Sequence, residues 1–166
     1  MNALEVERLA RIAAFKARRD ETRRPRSRSI ARHAVAMGLK AGQAGIRDAV
    51  GDTNRVTRYD GWTDPASGLF VYRSGGDGRE VPRYDFVAPV AQARVAHNLT
   101  ALEAFCLLSL ARQAGVRWDL PLEDLRASTA YAEIRSAARA AAIARLEEVE
   151  ARAVAKFKAK LKGDEC

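Results

Sequence analysis

The sequence predicts a mainly helical α+β fold, in which helices surround a small β-hairpin region and a long helix forms the C-terminal part. Apolar residues recur at helical spacing near both ends of the chain. Six of the eleven aromatic residues lie between Gly51 and Val87, among turn-forming glycines. These two observations place helices at the ends and the β-structure in the middle.

The first element is predicted to be a helix over residues 1–20. Asn2 precedes Glu5 by three residues, which is the spacing of a capping box, and apolar residues follow at helical spacing. Pro25 disfavours helical geometry in the residue before it, so residues 21–29 are predicted to form a basic linker. Ser27 or Ser29 can cap the next helix.

A second helix is expected to run from Ile30 toward Leu39 or Val50, with a break near Gly42. Ala34, Gly38 and Leu39 partly match a helix-turn-helix. Glycines within its second helix would be costly, however, so close approach of another element is the preferred explanation for them.

The β-hairpin region is predicted at about residues 51–88. Two β-prone segments, GLFVYR and REVPRYDFV, flank the turn sequence SGGDG, and Pro82 in the second segment indicates an edge strand. Two strands are marginal alone, so the hairpin must pack against helices.

Two further helices are predicted. A core helix at about residues 100–114 begins with a capping box at Thr100 and Glu103. A longer helix at about residues 129–162 carries an apolar stripe with small members at Ala138, Ala142 and Ala153. These helices and the hairpin would together form an α+β core over residues 30–166.

The charge is concentrated in two stretches. Residues 11–33 hold nine basic and two acidic residues, and Gly51 to Ala130 is close to neutral. A second basic stretch lies near the C-terminal end. Such clustering favours a polyanionic partner, because guanidinium groups match phosphate oxygens. The candidate nucleic-acid-binding residues are Arg18, Arg19, Arg23, Arg24, Arg26, Arg28, Arg32, Lys156, Lys158, Lys160 and Lys162.

Each basic stretch has a competing interpretation. The arginines could belong to a solvated linker neutralised by carboxylates elsewhere on the surface. The lysines could complement the helix dipole, or bind an acidic protein or a membrane surface.

Enzymatic patterns are absent from the sequence. His33 and His97 are the only histidines, and neither has a zinc-ligand neighbour at the usual spacing. No P-loop and no G-x-S-x-G turn occurs. No catalytic residue, metal or cofactor is therefore expected. The repeated Arg-Tyr-Asp at 58–60 and 83–85 is interpreted as structural, with base stacking as the alternative.

Location is inferred from the cysteines and the apolar runs. Cys106 and Cys166 do not form a disulfide framework, which indicates a reducing cytoplasm. No signal-like or membrane-spanning segment is apparent, so we expect a soluble, intracellular protein without membrane insertion.

The predicted function is that of a non-enzymatic nucleic-acid-binding accessory protein, with DNA expected rather than RNA. The alternative is a structural subunit of a larger particle. There the long helix would pack on copies of itself or on a neighbour, and the N-terminal segment would lie across that neighbour as an arm, giving a homo-oligomer or a larger assembly.

Overall fold

The protein contains a five-stranded antiparallel sheet between helices that come from both ends of the chain. The computed structural model describes residues 1–27, 29–50, 53–76 and 81–163, and the side chains at 24–27, 48–50 and 53–54 are not described. Its elements are α1 (Ala3–Ser27), α2 (Ile30–His33), β1 (Lys40–Val50), β2 (Thr53–Thr63), β3 (Phe70–Gly75), β4 (Arg83–Ala88), β5 (Ala93–Leu99), α3 (Ala101–Gln113), α4 (Leu122–Arg126) and α5 (Thr129–Gly163).

The prediction of a small hairpin region in a mainly helical fold is wrong. The strands follow one another in the order β1-β2-β3-β4-β5, each antiparallel to its neighbour. The predicted hairpin corresponds to β3 and β4, which form the middle of this meander. Pro82 lies just before β4, and β4 is paired on both sides, so it is not an edge strand.

The predicted second helix is also wrong, because only Ile30–His33 is helical and the following residues form β1. Ala44 and Ile46 are buried and the residues between and beyond them face outward, which is the alternation of a strand. This arrangement leaves no recognition helix for a helix-turn-helix. At Gly61 in β2, an added Cβ would collide with the Val71 carbonyl oxygen, so glycine permits the close crossing of β2 and β3.

The sheet is covered on both faces. On one face, residues such as Val71, Tyr84 and Phe86 pack against α3, α5 and the buried indole of Trp118. On the other face, β1 curls over the sheet and places Ile46 against Phe70, Tyr72 and Val87. The amide of Arg47 donates to the Gln92 carbonyl at 2.9 Å and fixes this curl.

A buried carboxylate supports the second face of the sheet. Asp85 accepts the Tyr72 hydroxyl at 2.9 Å and the Asn98 amide at 2.8 Å, and it pairs with Arg94 at 3.2 Å. Asn98 has a positive φ of 55°, at the point where the β4–β5 register shifts. Burial raises the pKa of Tyr72 to about 12, so its hydroxyl remains a hydrogen-bond donor at neutral pH.

The helices at residues 101–113 and 129–163 confirm the sequence predictions. Thr100 and Glu103 form the expected capping box of α3. In α5 the buried residues are Ile134, Ala138 and Ala142, so this helix packs on the body only through its first half.

An ion pair between the buried carboxylate of Asp64 and the partly exposed guanidinium of Arg112 connects α3 to the β2–β3 connection. Both nitrogen–oxygen distances are 3.0 Å, and Arg112 also donates to the Met37 carbonyl at 2.6 Å. Burial alone would raise the pKa of the Asp64 carboxyl, but Arg112, the Ser67 hydroxyl and the Ala66 amide together lower it below its ordinary 3.8.

We expect Arg112→Ala to lower the free energy of unfolding by about 3 kcal/mol, because Asp64 would stay buried without its charged partner. Urea denaturation measures this loss. The control Arg11→Ala breaks an exposed pair with Glu7 and should cost less than about 1 kcal/mol. Equal losses in the two variants would contradict a stabilising role for the buried pair.

The same carboxylate predicts a dependence of stability on pH. Because the pKa of Asp64 is lowered in the folded state, its contribution is complete above the unfolded value and is lost as pH falls through the folded value. The difference in unfolding free energy between the native chain and Asp64→Asn should therefore be largest above about pH 5 and shrink below about pH 4. Urea titrations from neutral to acidic pH test this, and a constant difference would contradict it.

Candidate nucleic-acid interface

The first and last helices pair in antiparallel orientation. Arg145 contacts Glu21 at 3.2 Å, and Arg18 contacts Glu150 at 2.9 Å. Farther toward the start of α1, Ala10 and Ala14 line a cleft together with Val154 and Lys158 of α5. We call α1 and residues 145–163 of α5 the helical arm.

Small residues form the α1 side of the seam in the helical arm. Ala10 is buried, and Ala13, Ala14 and Ala17 are half-buried. The facing part of α5 has half-buried apolar residues at Val149, Ala153, Val154, Phe157 and Leu161. Because alanines allow a close approach, the long helix obtains its partner within the same chain.

Most of the net charge of the protein lies on the helical arm. The arm contains fourteen basic and seven acidic residues, a net +7, whereas the formal charge of the whole chain is +8. The remaining residues are therefore almost neutral. The body between β1 and the first half of α5 contributes little to the long-range field of the molecule.

The N-terminal basic stretch lies where the helical arm joins the body. The structure continues α1 through Pro25 to Ser27, so most of the expected linker at 21–29 is helical. Near the end of a helix, a proline removes only one backbone hydrogen bond, and the Glu21–Arg145 pair holds this part of α1 against α5.

The predicted arginines are not equivalent in the structure. Arg18 pairs with Glu150, and Arg19 pairs with the neighbouring Asp20 at 3.3 Å. Both pairs are exposed, and such pairs are weak enough to exchange for a phosphate. Arg23 is exposed and makes no ion pair among the described side chains.

The other predicted arginines are placed only in part. Arg32 lies in the last turn of α2, whose first turn is capped by the Ser29 hydroxyl. The side chains of Arg24 and Arg26, and all of Arg28, lie outside the described residues.

The predicted lysines lie on both sides of the apolar stripe of α5. Lys156, Lys158, Lys160 and Lys162 are all exposed. No described carboxylate forms an ion pair with any of the four. At 100° per residue, Lys156 and Lys160 share one flank of the stripe and Lys158 and Lys162 share the other, so one face of the arm cannot present all four.

The two basic clusters are not brought together. Because Glu21 lies beside Arg145, Arg23 is level with the middle of α5. Lys160 is fifteen residues farther along α5, or about 23 Å at 1.5 Å per residue. At 3.4 Å per nucleotide, about seven nucleotides of one strand would span this distance.

The outer face of α1 also carries cations that the sequence analysis did not select. Arg8, Arg11 and Lys16 are exposed on the half of the helix that carries Arg19. A helical wheel of α1 places these three cations together. All three lie before residue 20, where the sequence predicts the helix to end. These cations extend the basic surface toward the lysines.

The acidic and aromatic residues of the body have structural partners. Asp60 accepts from Gln43 at 2.7 Å, Asp64 pairs with Arg112, and Asp85 is used within the sheet. Among the described residues, no three His, Cys, Asp or Glu side chains cluster as metal ligands. Asp77 and Glu80 lie outside the described residues.

The tyrosines of the Arg-Tyr-Asp repeats pack against other residues of the sheet. Tyr84 is buried, and the half-buried Tyr59 stacks on Tyr72 with ring centroids 4.3 Å apart. These contacts agree with the structural interpretation of the repeats. No helix in the described part of the chain is long and apolar enough to span a bilayer.

Comparison with known proteins gives no relative. The chain matches no protein-family model, and no curated protein and no solved structure matches it significantly.

The seam of the helical arm can be tested by overpacking. We expect Ala10→Leu to destabilise the pairing of α1 with α5 by about 1 to 3 kcal/mol, because a larger side chain at this buried position of the seam has to move the two helices apart. Hydrogen exchange of α1 amides should become faster while exchange in the sheet is unchanged. Ala140→Leu, on an exposed face of α5, is the control, and faster exchange throughout both variants would contradict the seam.

Proposed function

We propose that this protein is a non-enzymatic nucleic-acid-binding accessory protein that grips backbone phosphates with its helical arm. The observation that carries the proposal is the separation of charge: a net +7 on two paired helices and near neutrality in the rest. A rod of this charge attracts a polyanion over a Debye length of about 8 to 10 Å at moderate salt.

The contacts within the helical arm suit phosphate rather than base recognition. Phosphate is met by Arg23, by Arg18 and Arg19, whose exposed ion pairs can open, and by those lysines at the far end of the arm that lie on the face turned to the nucleic acid. Of the tyrosines that could have stacked on bases, Tyr84 is buried, and Tyr59 is half-buried and stacks on Tyr72. Binding should therefore depend strongly on salt and weakly on sequence.

DNA is the preferred form of nucleic acid in this proposal. The helical arm is a pair of helices whose basic clusters are about 23 Å apart, which suits a regular duplex. The wide major groove of B-form DNA is bordered by phosphates that a lysine-bearing helix end reaches, whereas the major groove of A-form RNA is narrow. A cytoplasmic location is part of the same proposal.

The second candidate function is a structural or assembly subunit. Exposed apolar side chains on the outer face of α1, Leu4 and Phe15, favour it. The alanine stripe favours it less, because Ala138 and Ala142 are buried against the body and Ala153 lies in the part of α5 that pairs with α1. The high charge of the arm also opposes contact between two copies through it.

A salt-titrated DNA-binding experiment tests the proposal. We expect replacement of Arg23, Arg24, Arg26 and Arg28 by Ala to weaken binding of unrelated 30-base-pair duplexes about equally. The slope of log affinity against log salt should fall by about 2 to 4, because each lost phosphate contact removes about 0.9. For the native chain, neutralisation of five to eight phosphates predicts a loss on the order of 10³- to 10⁴-fold for a fourfold rise in salt.

A matched variant controls for net charge. Replacing Arg55, Arg58, Arg73 and Arg126 by Ala removes four cations from the body and should change the slope by less than about 1.

Replacing the four lysines of α5 by Ala should act like the arginine variant. Equal affinities of the native chain and the arginine variant would contradict the proposal. A large oligomer free of nucleic acid in light scattering, with no DNA shift at low salt, would favour the assembly subunit.

A further inference from the structure

A groove lies beside the junction of the helical arm with the body. It has a volume of about 660 Å³ and is walled by α1, by α5 and by the start of α3. From α1 it receives Phe15, Arg18, Arg19, Thr22 and Arg23, and from α5 it receives Arg139, Ala142, Ile143 and Leu146. Both sets follow the spacing i, i+3 or i+4, i+7, which is one face of a helix.

The groove exposes apolar surface. Phe15 is 67% exposed, Ile143 is 56% exposed and Val81, at its end, is 46% exposed. Its floor is made of small side chains, since Ala101 and Ala142 are both buried. Exposed apolar groups of this size gathered in one concavity are typical of a binding surface, and polyanion binding does not use them.

The shape of the groove fits a helix. Its α1 wall runs over the nine residues from Phe15 to Arg23, a rise of about 12 Å, which is about two helical turns. The alanines between the two antiparallel helices leave space above them. A third helix can therefore pack against both helices at a close interaxial distance.

The charge of the groove specifies the occupant. The groove is lined by four arginines, Arg18, Arg19, Arg23 and Arg139, and by one carboxylate, Glu103, which pairs with Arg139. Arg18 and Arg19 make exposed pairs with Glu150 and Asp20, and Arg23 makes no ion pair among the described side chains. A second copy of this chain would bring the strongly basic helical arm against the same arginines. An acidic partner relieves this repulsion and also places its own apolar side chains on Phe15 and Ile143.

We propose that this groove binds an amphipathic helix of a partner protein, with leucine-like anchors at i, i+3 or i+4 and i+7 and acidic residues on the flanks. This interaction goes beyond the proposed nucleic-acid function and does not depend on it. The two ligands share Arg18, Arg19 and Arg23. The acidic helix therefore competes with nucleic acid for the part of the helical arm that joins the body.

Fluorescence anisotropy with the full chain and designed peptides tests the proposal. The probe is a labelled 14-residue helix with a leucine stripe at that spacing and glutamates on both flanks. Two comparison peptides carry the same residues without the stripe, or the same stripe with lysines in place of glutamates. The acidic amphipathic peptide should bind at least about tenfold more tightly than either comparison peptide.

Substitutions in the groove separate this site from nucleic-acid binding. Phe15→Ala combined with Ile143→Ala should weaken the acidic peptide at least about tenfold and leave DNA affinity unchanged within about twofold, because no charge is removed. Arg23→Glu should weaken both ligands. Val35→Ala removes a side chain that is 91% exposed and lies outside the groove lining, and it should change neither.

Three results would overturn the groove proposal. One is equal binding of the striped and unstriped acidic peptides. Another is peptide affinity that does not respond to the Phe15 and Ile143 substitutions in a variant with an unchanged thermal unfolding curve. The last is a homodimer that forms at micromolar concentration and is lost in the same variant, because the occupant would then be a second copy.

Discussion

The antiparallel pairing of α1 with the second half of α5 determines where the charge of this protein lies. The sequence contains its basic residues in two stretches separated by more than a hundred residues. Pairing the first helix with the last places both stretches on one rod, at opposite ends of a single seam. Without this contact, two isolated basic helices would each be marginal in water. The charged surface exists because the Glu21–Arg145 pair and a row of alanines hold the two helices in register.

The body holds α5 at a fixed angle to the sheet. Ile134, Ala138 and Ala142 anchor the first half of α5, and Arg139 pairs with Glu103 of the α3 capping box at 3.1 Å. The Asp64–Arg112 pair in turn ties α3 to the β2–β3 connection. A continuous series of packed elements therefore runs from the sheet to the helical arm. The arm is positioned by this series and needs no contact of its own with the strands.

The helices α1, α3 and α5 were predictable from the sequence, apart from the C-terminal end of α1, because their signals are local. The capping residues Asn2 and Thr100 and the apolar stripe of α5 mark helices without reference to the rest of the chain. The strands β1, β2 and β5 were missed. In β1 and β5 one of the two described buried residues is an alanine, Ala44 or Ala96, which gives little hydrophobic contrast, and the glycines of β1 resemble a helix break.

The candidate site was predictable in composition but not in arrangement. The concentration of arginine and lysine is visible in the sequence, and it selects the same two stretches that form the helical arm. Which arginines meet carboxylates could not be predicted, because Glu150 reaches Arg18 only through the antiparallel register. The groove beside Phe15 could not be predicted for the same reason. Its two walls are 120 residues apart and become neighbours only in the folded chain.

The two helices of the helical arm are far apart along the chain, and this distance also influences the order in which the parts of the protein fold. Along the chain, α1 is synthesised before the sheet and the second half of α5 after it. Closing a loop of this length is slow compared with forming the local hairpins of the meander, so the sheet can be complete before α1 and α5 pair. During that interval the nascent chain carries an unpaired basic segment whose alanines are not yet covered. A polyanion or an acidic chaperone present at that time would meet a different molecule from the finished one.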